Sequence, residues 1–133
     1  MSEPVNPLVK RDTRDGVLVL TLTAAEVRSD DVVEGVAQEL LAALGPTPPP
    51  RVVLDLTAVQ YLGSLGFRPL LSLRRKLAET GGRMVLCGLS PEVANVFRVS
   101  RLMSERGGPP APFQVETDVA AAVAHLNRTE SGA

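Results

Sequence analysis

The 133-residue chain has no tryptophan, one tyrosine, three phenylalanines, one cysteine and one histidine. Each shortage removes a class of function. A single cysteine forbids a disulfide within the chain and fits a reducing compartment. Cys87 and His125 together fall short of the three or four ligands that a zinc site needs, so no metal and no cofactor is assigned. Cys87 lies in a strand pattern and reads as a small core residue. His125 lies near the end of the last helix, where a surface role favoured by the helix dipole is expected. So few aromatic rings leave no platform for stacking bases or sugars. The net charge of -1 gives no electrostatic case for nucleic acid or an anionic membrane as partner. No apolar run approaches the ~20 residues of a spanning helix. Residues 1–7 lack the basic and apolar regions of a secretory signal, and a cytoplasmic location is expected.

What is present is an ordinary globular composition, 44% hydrophobic and 22% charged, with a core that must be built from Val, Leu and Ala. Leu8–Asp12 and Val17–Leu22 flank Asp15-Gly16, a strong hairpin signal. Ser29 is a cap candidate for a helix whose Val33, Val36, Ala37, Leu40, Leu41 and Leu44 fall on one apolar face. Gly45 and the prolines after it end that helix. Val52–Leu56 reads as a buried strand, and Ser64 as the start of the helix that follows it, burying Phe67, Leu70, Leu73 and Leu77. Arg74, Arg75, Lys76 and Glu79 then lie on a solvated face. Gly81-Gly82 closes this unit. Arg83–Cys87 is a further strand, and Ser90-Pro91 opens a short helix. Glu105–Pro112 is a loop by composition. Phe113–Val115 makes a last strand, and Asp118 caps a final helix reaching about Leu126 before a polar tail.

Strands alternating with single helices imply parallel pairing. The expected fold is therefore α/β, a mixed and mostly parallel sheet with an N-terminal hairpin and about four α-helices covering at least one face. One domain spans residues 8–127, with flexible tails at 1–7 and 128–133.

Ser64 is the residue on which function turns. A hydrolase using it as nucleophile needs a base within reach, yet Gly-x-Ser-x-Gly is absent and nothing places His125 nearby. No catalytic residue is assigned. A nucleotide loop of the Lys-Ser/Thr type is also absent. Two readings stay open: a plain helix cap worth ~1 kcal/mol, or a phosphate acceptor beside amides that favour anions. Gly63 and Gly66 are expected to let another protein's active site approach the backbone.

From Arg51 to Leu102 the chain resembles STAS domains, particularly anti-sigma factor antagonists. The residues that carry this are Val53-Leu54-Asp55-Leu56, Tyr61-Leu62-Gly63-Ser64-Leu65-Gly66-Phe67, Gly81-Gly82, Met84-Val85-Leu86-Cys87 and Ser90-Pro91-Glu92-Val93. The resemblance implies a STAS-like fold. It also implies a non-enzymatic, protein-binding regulatory module that binds an anti-sigma factor with serine kinase activity and is switched by phosphorylation at Ser64. Glu26, Arg28, Leu62, Gly63, Leu65, Gly66, Phe67 and Arg68 then form the partner-binding surface. Alternatives are a STAS scaffold or transporter-associated subunit without the switch.

The family pattern Phe-Met-Asp-Ser-Ser-Gly-Leu is altered here. Gly63 replaces the aspartate, Leu65 replaces the second serine, and Arg68 and Pro69 replace small residues. Arg28 stands near the aspartate of the family's Thr-Gly-Glu-Leu-Asp. One helical turn after Ser64, Arg68 is placed to pair with a phosphate there or to select an acidic partner surface.

Overall fold

A computed structural model describes residues 7–46, 49–99 and 113–131. The elements are β1 (Val9–Arg14), β2 (Val17–Leu22), β3 (Glu26–Val27), α1 (Asp30–Leu44), β4 (Arg51–Asp55) and β5 (Tyr61–Leu62). A 3₁₀ turn (Ser64–Gly66), α2 (Phe67–Ala78), β6 (Arg83–Cys87), α3 (Pro91–Val99), β7 (Gln114–Glu116) and α4 (Val119–Ser131) follow. The segment Glu105–Pro112 lies outside the described residues.

Asp15 and Gly16 both take positive φ, 50° and 78°, as a two-residue hairpin turn matched to strand twist requires. β1 accordingly pairs antiparallel with β2, Arg14 opposite Val17 and Val9 opposite Leu22. β2, β4, β6 and β7 run parallel, giving the order β1-β2-β4-β6-β7. Beyond Val9 the edge strand β1 is exposed throughout. Its Lys10, Arg11, Asp12 and Arg14 discourage a further strand from adding there.

Successive side chains on a strand point to opposite faces, and here both faces are covered. Leu18, Leu20 and Leu22 of β2, Val52 and Leu54 of β4, and Met84 and Leu86 of β6 share a core with α1, α2 and α3. Val17, Val19, Val53, Val85 and Cys87 turn the other way and pack against Ala122, Val123 and Leu126 of α4. The three phenylalanines form a row: Phe67 meets Phe97 edge-on at 5.0 Å, and Phe97 meets Phe113 at 5.9 Å.

Caps fix most helix starts. Ser29 Oγ accepts from Val32 N at 3.4 Å, Ser90 Oγ from Val93 N at 3.2 Å, and Asp118 Oδ1 from Ala121 N at 2.8 Å. On α1, Val36, Leu40 and Leu44 are buried, whereas Leu41 is 46% exposed. Leu41 follows Leu40 by about 100° around the axis and leaves the buried stripe.

The cap position of α2 falls on Gly66, which has no side chain to cap with, and not on the expected Ser64. Pro69 explains the later start. As the third residue of α2 it lacks an N–H that a helix leaves unpaired anyway. In a helix begun one turn earlier, the same N–H would be needed and the ring would clash with a carbonyl.

α4 also runs past its expected end, to Ser131. Asn127, expected in the tail, accepts from Arg51 Nη1 at 2.6 Å and donates to the Asp15 carbonyl at 3.2 Å. His125 has a different role from the expected surface one. Its Nδ1 lies 2.7 Å from Glu116 Oε2 and its Nε2 3.0 Å from Gln114 Oε1, so one imidazole ties α4 to β7.

Candidate functional site

The loop after β4 begins with a carboxylate used locally. Asp55 Oδ1 accepts from Thr57 N at 3.0 Å and from the Thr57 hydroxyl, an arrangement that turns the backbone away from the sheet. The chain then reaches β5, which forms a small parallel sheet with β3. Ala25 O accepts from Gln60 N at 2.7 Å and Tyr61 N at 3.0 Å, and Val27 O accepts from Gly63 N at 2.9 Å. Glu26 stands opposite Tyr61, and Val27 opposite Leu62. Strands of two residues are too short to show a periodic pattern, so this pairing was not legible beforehand. It brings the segment around Glu26–Arg28 alongside the one around Leu62–Arg68.

The residues of that rim divide into a layer below and a layer above. Leu62, Gly66 and Phe67, expected on the partner surface, are buried. A Cβ on Gly66 would lie 2.5 Å from Leu62 Cδ1 and 2.8 Å from the Val27 carbonyl. The bare Gly66 backbone thus makes room for the chain's own Leu62 side chain and Val27 carbonyl. Its N–H donates to Gly63 O at 2.9 Å, closing the 3₁₀ turn. Glu26, Arg28, Leu65 and Arg68 are exposed, and Gly63 is half-buried. The turn begins at the Ser64 backbone, and the Ser64 side chain lies outside the described residues.

Tyr61 belongs to the upper layer and was not among the expected partner residues. It is 49% exposed, and the Arg28 guanidinium lies over its ring, 5.4 Å from the centroid. Arg28 Nη2 is also 3.0 Å from Glu26 Oε1. A Cβ on Gly63 would come within 3.0 Å of Arg28 Cβ, so the bare backbone at residue 63 makes room for this arginine. The one sequence signal for Tyr61 was a lone tyrosine immediately ahead of the loop.

Cys87 is fully buried. Burial first, then the negative charges of Asp55 and Asp118, push its thiol up to about 12, which makes it inert as a nucleophile at neutral pH. Among the described residues, no group of three or more His, Cys, Asp or Glu could hold a metal ion. Nor is any described helix long and apolar enough to cross a membrane.

Comparison with known proteins gives a consistent result. The STAS domain family model matches residues 9–106. A Bordetella bronchiseptica protein, BtrV, provisionally named an anti-sigma factor antagonist, is 37% identical over 93 residues, 70% of this chain and 78% of that protein. The structure of an anti-sigma factor antagonist from Mycobacterium paratuberculosis superposes with a TM-score of 0.73 at 22% identity, covering 96% of this chain and 99% of the other. Unphosphorylated SpoIIAA, an anti-sigma factor antagonist, gives 0.70 at 19% identity over 90% and 96% of the two chains. Its phosphorylated form, from Bacillus, gives 0.61 at 19% over 91% and 98%. At these identities the structural likenesses speak for the fold alone.

Proposed function

The chain belongs to the STAS domain family, and from that premise we propose that it is an anti-sigma factor antagonist switched by phosphorylation at Ser64. One observation carries the reading: the β3–β5 pairing brings Glu26, Arg28 and Tyr61 together, exposed, beside the segment that holds the Ser64 backbone and the exposed Leu65 and Arg68. In this reading the rim offers a protein partner apolar and charged groups together. In this reading the partner is an anti-sigma factor with serine kinase activity, and this chain catalyses no reaction. Binding releases the sigma factor that the partner otherwise holds. The similarity to BtrV and the existence of SpoIIAA in both phosphorylation states support it.

The physics of the switch is simple. A phosphate adds about -1.5 to -2 charges. Desolvating it against an apolar or acidic surface costs a few kcal/mol, and each ~1.4 kcal/mol is tenfold in affinity. Arg68, exposed in the first turn of α2, is the cation closest in sequence to Ser64, and in this reading it pairs with that phosphate. The test mixes the chain with each anti-sigma factor kinase of the source organism and ATP. One kinase adds the mass of one phosphate, the gain disappears in Ser64→Ala, and Ser64→Glu binds that kinase at least tenfold more weakly than wild type. If no kinase adds phosphate while one still binds, the switch is lost and a constitutive STAS scaffold remains.

A further inference from the structure

Two of the exposed large hydrophobic side chains lie here, Tyr61 at 49% ahead of the Ser64–Gly66 turn and Leu65 at 37% within it. Between β3 and β5, Arg28 is held from two sides, by the Glu26 carboxylate at 3.0 Å and by the Tyr61 ring at 5.4 Å. An arginine fixed in this way has already lost much of its rotamer freedom, so less is lost when it binds. One Nη2 donor is engaged with Glu26, and the guanidinium has five donors in all. The remaining donors belong to a side chain that is 61% exposed.

We infer that the Arg28–Tyr61 pair is the specificity element of the rim, reading a carboxylate set beside an apolar side chain on the partner. The inference rests on the rim being a protein-docking site, and it adds the partner's chemistry and the residues that select it. Tyr and Arg are the residue types that dominate binding hot spots, because each offers a large stiff surface with a polar edge. Here the apolar side chain covers the Tyr61 ring and Leu65, and the carboxylate takes the free edge of Arg28. Exclusion of water by the apolar contact strengthens the charged bond beside it.

Gly63 and Arg28 act as one unit in this scheme. With 3.0 Å between a built Cβ at residue 63 and Arg28 Cβ, a side chain at 63 shifts Arg28 by a few tenths of an ångström. An aspartate there, as in the family motif, would also draw the guanidinium off Tyr61 by direct pairing. The two departures from the motif are thus adjacent in space and mutually dependent.

The experiment measures affinity of wild type, Arg28→Ala, Arg28→Lys, Tyr61→Ala, Tyr61→Phe and Gly63→Asp for each anti-sigma factor kinase of the source organism, by calorimetry. Circular dichroism verifies that each variant is folded. Arg28→Ala, Tyr61→Ala and Gly63→Asp each weaken binding at least tenfold. Tyr61→Phe stays within threefold of wild type, since the ring and not the hydroxyl makes the contact. Arg28→Lys falls with Arg28→Ala, because a lysine lacks the planar stack. The salt dependence of wild-type binding flattens in Arg28→Ala. If a kinase binds wild type and binds folded Arg28→Ala and Tyr61→Ala within twofold of it, the inference is wrong while the docking reading stands. If wild type binds no kinase, the docking reading fails and the inference falls with it.

Discussion

At the end of the sheet where β1 turns into β2, Arg51, Asn127 and the Asp15 carbonyl close on one another through bonds of 2.6 and 3.2 Å. At the opposite end Arg28, Tyr61 and Leu65 remain exposed above a buried floor of Leu62, Gly66 and Phe67. Both ends face water, so their difference is one of use. The first ties Arg51 Nη1, the Asn127 amide and the Asp15 carbonyl together within the chain. The second leaves the Tyr61 ring, Leu65 and the Arg28 guanidinium exposed, with Arg28 paired to Glu26 and lying over Tyr61. On the proposed reading this is the end that a partner covers.

Substitutions that move stability and partner binding separately test this contrast. Gly66→Val has the largest expected effect, because its side chain overlaps Leu62 and the Val27 carbonyl. Overpacking of this kind costs about 3 kcal/mol, read as a lowered urea midpoint, and it displaces the rim so that partner affinity falls as well. Asn127→Ala comes next. It removes the acceptor of Arg51, whose Nε is already buried without a hydrogen-bond partner, at about 2 kcal/mol. Partner affinity should stay within twofold; a larger loss would show that the closed end is not independent of the rim.

A smaller effect is expected from pH. The Cys87 thiol, raised from 9.0 to about 12 in the fold, keeps its proton where the unfolded chain has lost its own. The stability it contributes is complete below pH 9 and is lost as pH rises from there toward 12, by roughly 1.4 kcal/mol per unit. Urea unfolding between pH 8 and 10.5 reads this slope, which should be shallower in Cys87→Ala. Ser90→Ala removes the cap of α3 and costs about 1 kcal/mol. Leu41→Ser, on the exposed flank of α1, changes stability by less than about 0.5 kcal/mol and leaves binding unaffected.

The sequence made local features legible and long-range ones obscure. The Asp15-Gly16 hairpin, the Ser29 and Asp118 caps and the alternating strands β2, β4 and β6 depend on neighbours a few residues away, and the structure contains all of them. The sheet is mixed and mostly parallel, with four α-helices, as the alternation of strand and helix implied. What could not be read depends on partners far along the chain. Asn127 meets Arg51 and Asp15 across more than half the sequence, so its place beyond the last apolar residue suggested only a tail. The burial of Leu62 and Gly66 follows from the β3–β5 pairing, which no two-residue pattern announces, whereas the burial of Phe67 was legible in the helical spacing of α2. The later start of α2 was within reach, since Pro69 stands in the sequence at a position that a helix capped by Ser64 would not accept.

Pro69 also sets a boundary on motion. Lengthening α2 backward by one turn would absorb Ser64, Leu65 and Gly66 into regular helix, at a penalty near 3 kcal/mol from that ring alone. The segment Ser64–Gly66 is thereby kept from winding into α2, and its three residues retain the 3₁₀ turn that neither neighbouring element can annex. Exchanging this imino acid for alanine would remove the barrier, letting the recognition loop and the helix compete for the same stretch of backbone.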